Sequence, residues 1–147
     1  MVVSNTGPLV SAFQSDSFDI VVTLFDVVYT SGACLSELLD GDWGHDISQC
    51  GDHLSTVPLT EEETKESSKL AQRIAEHPLS RSANPQDHLG EAEAMVLAQR
   101  PAFGSTVLLL DERAARAVGE ELGLRLTGFA GVLIIGVTEG LLSAATL

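Results

Sequence analysis

The stretch Thr106-Val107-Leu108-Leu109-Leu110-Asp111-Glu112-Arg113-Ala114-Ala115-Arg116 decides how the rest of the chain is read. Its first five residues are almost wholly apolar, as expected of a strand covered on both faces rather than one. Asp111 ends that run at once. Glu112 to Leu122 then carries helical spacing, with Gly123 at the usual stop position. A buried strand feeding directly into a helix is the repeating unit of a parallel α/β sheet.

Working outward, the same alternation recurs. Val2-Val3-Ser4 is a β-branched start cut by Gly7-Pro8, and Pro8 to Gln14 reads as a helix with proline in its first turn. A short amphipathic stretch ends near Phe25, and Val27-Val28-Tyr29 is a second strand. Ser31 is placed to cap a helix through Leu39. Leu54 to Leu59 reads as a third, weaker strand. Thr60-Glu61-Glu62-Glu63 is a capping box that opens a helix to about Glu76. Glu91 to Arg100 is helical, Leu124-Arg125-Leu126 is a last short strand, and Gly128 to Glu139 closes the chain as a helix. Asp40 to Asp52, rich in Gly and Asp and holding Trp43, reads as a loop or irregular insertion. Pro78 to Gln86 reads as a polar linker. The expected fold is α/β, a three-layer sandwich around a central, mainly parallel, Rossmann-like sheet, with residues 1–147 as a single domain.

Composition narrows the function. The 147 residues hold 21 Asp+Glu against 8 Lys+Arg, a formal charge of −13, and 44% are hydrophobic. That excludes wholesale disorder and argues against a nucleic-acid binder working through its net field. No apolar run approaches the ~20 residues of a membrane span, and Met1-Val2-Val3 lacks the basic start of a signal peptide. The expectation is a cytoplasmic protein without membrane association, with Cys34 and Cys50 as free thiols. No P-loop, G-x-G-x-x-G or nucleophile elbow is present.

The chemistry lies in acidic and amide side chains. Asn5 and Asp111 both end predicted strands, so in a parallel sheet with both strands central they share one rim, where ligands bind. Glu37 lies on the second helix, while Glu91 and Glu93 open the later one. At about 100° per residue, Glu91 and Glu93 point about 200° apart and cannot meet the same ion. Glu91 shares its side with Ala94, Met95 and Ala98 and is favoured. Glu93, directed toward Arg100 and a possible ion pair, is second choice. Carboxylates that converge repel unless a cation sits among them, and oxygen-only ligands suit Mg²⁺ or Mn²⁺.

Each residue also has an ordinary reading. Asn5 fits an Asx-turn, Asp111 a helix N-cap and Glu37 a solvated helix position. Lys65, Lys69 and Arg73 make a basic stripe, but neighbouring glutamates favour a salt-laced face over an RNA ridge. Arg113 and Arg116, just after Asp111, are better placed to touch a phosphate. His45, Cys50 and His53 match no standard zinc spacing. The functional case rests on joint placement.

The start Val2-Val3-Ser4-Asn5-Thr6-Gly7-Pro8-Leu9-Val10, the run Leu89-Gly90-Glu91-Ala92-Glu93-Ala94, the stretch Leu109 to Arg116 and the ending Gly128-Phe129-Ala130-Gly131-Val132-Leu133 together resemble PIN domains of a prokaryotic, mostly uncharacterised branch. The likeness spans about residues 1–142. It implies a Mg²⁺- or Mn²⁺-dependent ribonuclease that hydrolyses RNA phosphodiester bonds through a metal-activated water. It further implies a toxin of a toxin–antitoxin pair, with an antitoxin protein as partner, and a homodimer. By position, the family's acidic set falls on Asn5, Glu37, Glu91 and Asp111, with Thr6 and Ser4 as assisting hydroxyls. The family usually has Asp where this chain has Asn5, so lower metal affinity is expected, and a weakened or inactive binding module is the alternative.

Overall fold

A computed structural model describes residues 1–104 and 106–141. Five parallel strands form one sheet in the order β3-β2-β1-β4-β5, where β1 is Val2–Ser4, β2 Val28–Ser31, β3 Leu54–Val57, β4 Leu108–Leu109 and β5 Leu126–Thr127. Eight α-helices flank it among the described residues: α1 Thr6–Gln14, α2 Phe18–Phe25, α3 Gly32–Asp40, α4 Gly44–Cys50, α5 Glu61–Glu76, α6 Leu89–Ala98, α7 Arg113–Glu121 and α8 Phe129–Thr138. This is the three-layer α/β sandwich expected from the sequence.

Strand alternation builds the layers. Val3, Leu108 and Leu110 face one side, where they pack with Leu70 and Ile74 of α5, Met95 and Leu97 of α6, and Val118 of α7. Val2, Val28 and Leu109 face the other, against Leu9 of α1, Val21 of α2, Leu38 of α3 and Val132 of α8. Successive residues of one strand thus serve opposite cores, which is why residues 107–110 had to be apolar throughout. The regular part of β4 is only two residues long. Its ladder nevertheless extends further, since Val107 O accepts from Val3 N and Leu110 N donates to Thr127 O.

Two expected caps are present. Ser31 Oγ accepts from Cys34 N, and Thr60 with Glu63 forms the complete capping box of α5. The 40–52 segment differs from its reading as a loop. It contains α4, followed by a single 3-10 turn over Gly51–His53. Gly44, His45, Asp46 and Ser48 are weak helix formers, so local propensity hid this element. Tertiary packing supplies what propensity lacks: Ile47 and Trp43 pack against the second core, and the Trp43 ring lies 6.0 Å from that of Phe13. The 78–86 linker runs into a 3-10 turn at Pro85–His88 that enters α6 directly. No helix among the described residues is long and apolar enough to cross a membrane.

Candidate metal centre

Chain order runs outward from β1 in both directions, to β2 on one side and across to β4 on the other. The register pairs Ser4 with Leu109, so the chains leaving β1 and β4 emerge side by side. Asn5 N donates to Leu109 O at 3.0 Å, which fixes the two strand ends together. Such a switch point opens a crevice at the carboxyl edge of the sheet.

A cavity of about 390 Å³ occupies this crevice, lined by Asn5, Thr6, Gly7, Glu37, Arg81, Glu91, Asp111 and Glu112. The four residues read from the sequence, Asn5, Glu37, Glu91 and Asp111, come from four distant parts of the chain to one wall system. Thr6 lines it too. Gly90 shows how tightly the parts meet: a Cβ there would stand 2.7 Å from Glu37 Oε1 and 3.1 Å from Asn5 Oδ1.

Asn5 is 6% exposed and, although it precedes α1, its side chain makes no capping bond. The Asx-turn reading therefore fails, because Cys34 and the cavity, not the α1 backbone, face the amide. The buried Cys34 thiol donates to Asn5 Oδ1 and to Gly90 O, both at 3.4 Å. Burial raises the Cys34 pKa, keeping it a neutral donor rather than a nucleophile.

Glu37 is an exposed residue, yet partial desolvation of its carboxylate in the crevice raises its pKa. The Thr6 hydroxyl counters that rise and Glu91 adds to it, with smaller opposing effects from Arg81 and Glu93. Thr6 Oγ1 is itself buried and meets hydrogen-bond geometry with no group among the described residues. Glu91 is buried at 4% exposure, and its Oε1 accepts from Arg81 Nη2 at 3.2 Å.

Asp111 is not the cap of α7. Glu112 takes that role, accepting from Ala114 N and Ala115 N, while Asp111 Oδ1 accepts from Phe129 N at 2.8 Å at the start of α8. Both residues are acidic, so local sequence could not choose between them. The choice is made by α8, which approaches from 18 residues further on.

Glu93 does not line the cavity and does not pair with Arg100. Its Oε1 accepts from Ala33 N at 3.0 Å in the first turn of α3. Arg100 instead reaches Glu63, with Nε and Nη2 bonded to its two carboxylate oxygens at 2.8 and 2.7 Å. Arg113 and Arg116 line a separate recess with Leu79, Ala117 and Glu120, and Arg116 Nη1 donates to Leu110 O. The basic stripe is salt-laced: Lys65 pairs with Glu62, Lys69 with Glu66 and Arg73 with Glu121. The zinc reading of the 45–53 segment has no support either. Cys50 Sγ bonds to Asp46 O, and His53 Nδ1 meets Asp26 O.

Arg81 and Glu112 are charged cavity residues that sequence reasoning missed, Arg81 because it sits in an aperiodic polar segment and Glu112 because it directly follows the favoured Asp111. His88, one turn before Glu91, was missed as well. Its i, i+3 spacing to Glu91 was the available signal.

The oxygen donors that line the cavity are of the kind a hard divalent cation takes, while among the described residues the acids and histidine whose ligand atoms gather within 4.8 Å of one another are His88, Glu91 and Glu112. Carboxylates of Glu37, Glu91 and Asp111 with the Asn5 amide oxygen supply oxygen ligands only, and the buried Thr6 hydroxyl beside Glu37 offers a further polar contact. Arg81 supplies a positive charge to the same group of acids.

No curated protein matches the chain. A family model described as a PIN domain, DUF3368, matches residues 1–147. PIN domains have a nuclease-type fold and generally depend on divalent metal, which is the chemistry that the oxygen-lined cavity suits. With the match covering its whole length, the chain belongs to the PIN-domain family.

Proposed function

We propose that the protein is a Mg²⁺- or Mn²⁺-dependent ribonuclease that hydrolyses RNA phosphodiester bonds. The observation that carries this reading is the meeting of Asn5, Glu37, Glu91 and Asp111 around one cavity at the carboxyl edge of the sheet. Glu37, Glu91 and Asp111 would hold the ion, with Asn5 as a neutral fourth ligand and Thr6 orienting a water or phosphate oxygen. When bound, the ion supplies Lewis-acid charge and lowers the pKa of water in its shell. The three carboxylates orient that centre, and Arg81 is near enough to stabilise charge on a phosphate once released from Glu91. Arg113 and Arg116 serve a more distant stretch of the RNA backbone. With a formal charge of −13, the free protein should bind RNA weakly and in a strongly salt-dependent manner.

This activity suits the toxin of a cytoplasmic toxin–antitoxin pair, restrained by a small basic antitoxin. A homodimer is supported by α8, whose Ile134 and Ile135 are 60% and 37% exposed. A second reading, a PIN-fold binding module without catalysis, is favoured by one residue, Asn5 in place of the usual acid. Cleavage of a mixed single-stranded RNA with Mg²⁺ or Mn²⁺, against an Asp111→Ala control, separates the two. Cleavage lost in the control supports the ribonuclease, and equal rates in both proteins reject it.

A further inference from the structure

The His88 imidazole is fully buried, at 0% exposure. Its Nε2 lies 2.8 Å from Ser82 O and 3.1 Å from Ser80 Oγ. A carbonyl oxygen only accepts, so the short contact to Ser82 O places the proton on Nε2. Ser80 agrees with this assignment. Its own hydroxyl proton is committed to Ser82 O at 2.6 Å, leaving Oγ to receive from the ring. A neutral imidazole carries one N–H, so Nδ1 is left with a bare lone pair. Nδ1 is buried and has no hydrogen-bond partner among the described residues. An orphaned buried acceptor is destabilising unless something fills the position opposite it.

Two carboxylates stand nearby. A ring nitrogen of His88 and one oxygen each from Glu91 and Glu112 lie within 4.8 Å of one another. The elements hold these groups in place. Glu112 is fixed by the backbone N–H groups of Ala114 and Ala115, and Glu91 sits one helical turn from His88. Arg81, which bridges to Glu91, also donates to Asp87 O at 2.9 Å and has a side chain 54% exposed. With Nε2 occupied by Ser82 O, Nδ1 is the ring nitrogen left to face these carboxylates, and its lone pair can be met by a second ring proton or by a metal ion.

We propose that His88 Nδ1, Glu91 and Glu112 form a divalent-cation site with a nitrogen ligand, sharing Glu91 with the oxygen-only set. A nitrogen donor selects ions of the Zn²⁺, Co²⁺ or Fe²⁺ class over Mg²⁺, which prefers oxygen alone. The site stands whether or not the protein cleaves RNA. Nε2–H bonded to Ser82 O would fix the tautomer and ring orientation, as an outer-shell partner does for a ligating histidine.

The test is ¹⁵N NMR of histidine-labelled, metal-free protein titrated with Zn²⁺ at neutral pH, alongside calorimetry. Without metal, the His88 ring should show a protonated Nε2 and an unprotonated Nδ1. Zn²⁺ should shift Nδ1 and leave Nε2 protonated. In His88→Gln and Glu112→Gln, Zn²⁺ affinity should fall at least about tenfold, and in His88→Gln, whose residue does not line the cavity, Mg²⁺ affinity should stay within about twofold. A doubly protonated ring that ignores Zn²⁺ overturns the proposal, as does unchanged Zn²⁺ affinity in both folded variants. The wild-type spectrum decides alone if a variant does not fold. RNA cleavage that persists beside either overturning result leaves the ribonuclease reading intact.

Discussion

Gly90 faces Glu37 across the cavity wall with no room for a side chain between them: a Cβ on Gly90 would stand 2.7 Å from Glu37 Oε1. The same Cβ would lie 3.1 Å from Asn5 Oδ1, so Gly90 keeps the two oxygens in one line of approach. In Gly90→Ala the flexible end of Glu37 must move, because the Asn5 amide is buried and held by Cys34. The helix itself gains up to about 1 kcal/mol from the substitution. The expected outcome is an unchanged or higher Tm together with Mn²⁺ affinity lowered by about tenfold, read by calorimetry. Unaltered Mn²⁺ binding in a folded variant removes Glu37 from the ligand set.

Asn5→Asp restores the charge that the family usually has at this position. In the metal-free protein it adds a buried carboxylate beside Glu37 and Glu91, so stability should fall by about 1–3 kcal/mol at neutral pH. With Mn²⁺ the added charge becomes a ligand, and affinity should rise about tenfold or more. Denaturation with and without Mn²⁺ checks both halves at once. A variant equally stable in both conditions argues that position 5 does not face the ion.

Glu37 gives the site a pH dependence. Its carboxyl is raised above the ordinary value chiefly by burial, with Glu91 adding to the rise against the Thr6 hydroxyl. An acid raised in the folded state binds its proton more tightly there than in the unfolded chain. The Glu37 contribution to metal-free stability is therefore greatest below the ordinary carboxylate range and declines as pH rises through the raised value. Mn²⁺ affinity should climb through that same window, since the ion competes with the proton. Glu37→Gln should flatten both profiles. A wild-type affinity profile identical to that of Glu37→Gln would assign the pH dependence elsewhere.

What the sequence made legible follows from how local each signal was. Four of the five strands could be read because β-branched and apolar runs carry their own periodicity, and because one run had to serve both cores, whereas the fifth, expected at Leu124 to Leu126, lies at Leu126–Thr127. The joint placement of Asn5 and Asp111 followed from the parallel-sheet rule alone. Angular arithmetic separated Glu91 from Glu93, and the cavity lining agrees with that separation. Glu93's partner was not legible, since Ala33 of α3 lies 60 residues away. Arg81 escaped because an aperiodic segment gives no direction to its side chains. Helix α4 escaped because packing of Ile47 and Trp43, rather than propensity, holds it.

Arg100 and Glu63 show a long-range pair whose worth can be measured. The guanidinium grips both carboxylate oxygens of Glu63 and also donates to Pro58 O at 2.8 Å, tying the segment after α6 to the start of α5. The same carboxylate completes the Thr60 capping box. Arg100 holds the Glu63 pKa down at about 2, and Arg100's own pKa is raised in return. The pair is partly shielded, with side chains 18% and 29% exposed, so Arg100→Ala should cost about 1–2 kcal/mol at neutral pH. A depressed carboxyl pKa stabilises the fold fully above the unfolded value of about 4.3 and loses that effect as pH falls toward the folded value. Urea midpoints of wild type and Arg100→Ala should therefore differ by a constant amount from about pH 8 to pH 5 and converge as pH drops to about 2. A gap that persists undiminished at the acid end would assign the loss to the aliphatic stem of Arg100 rather than to its charge.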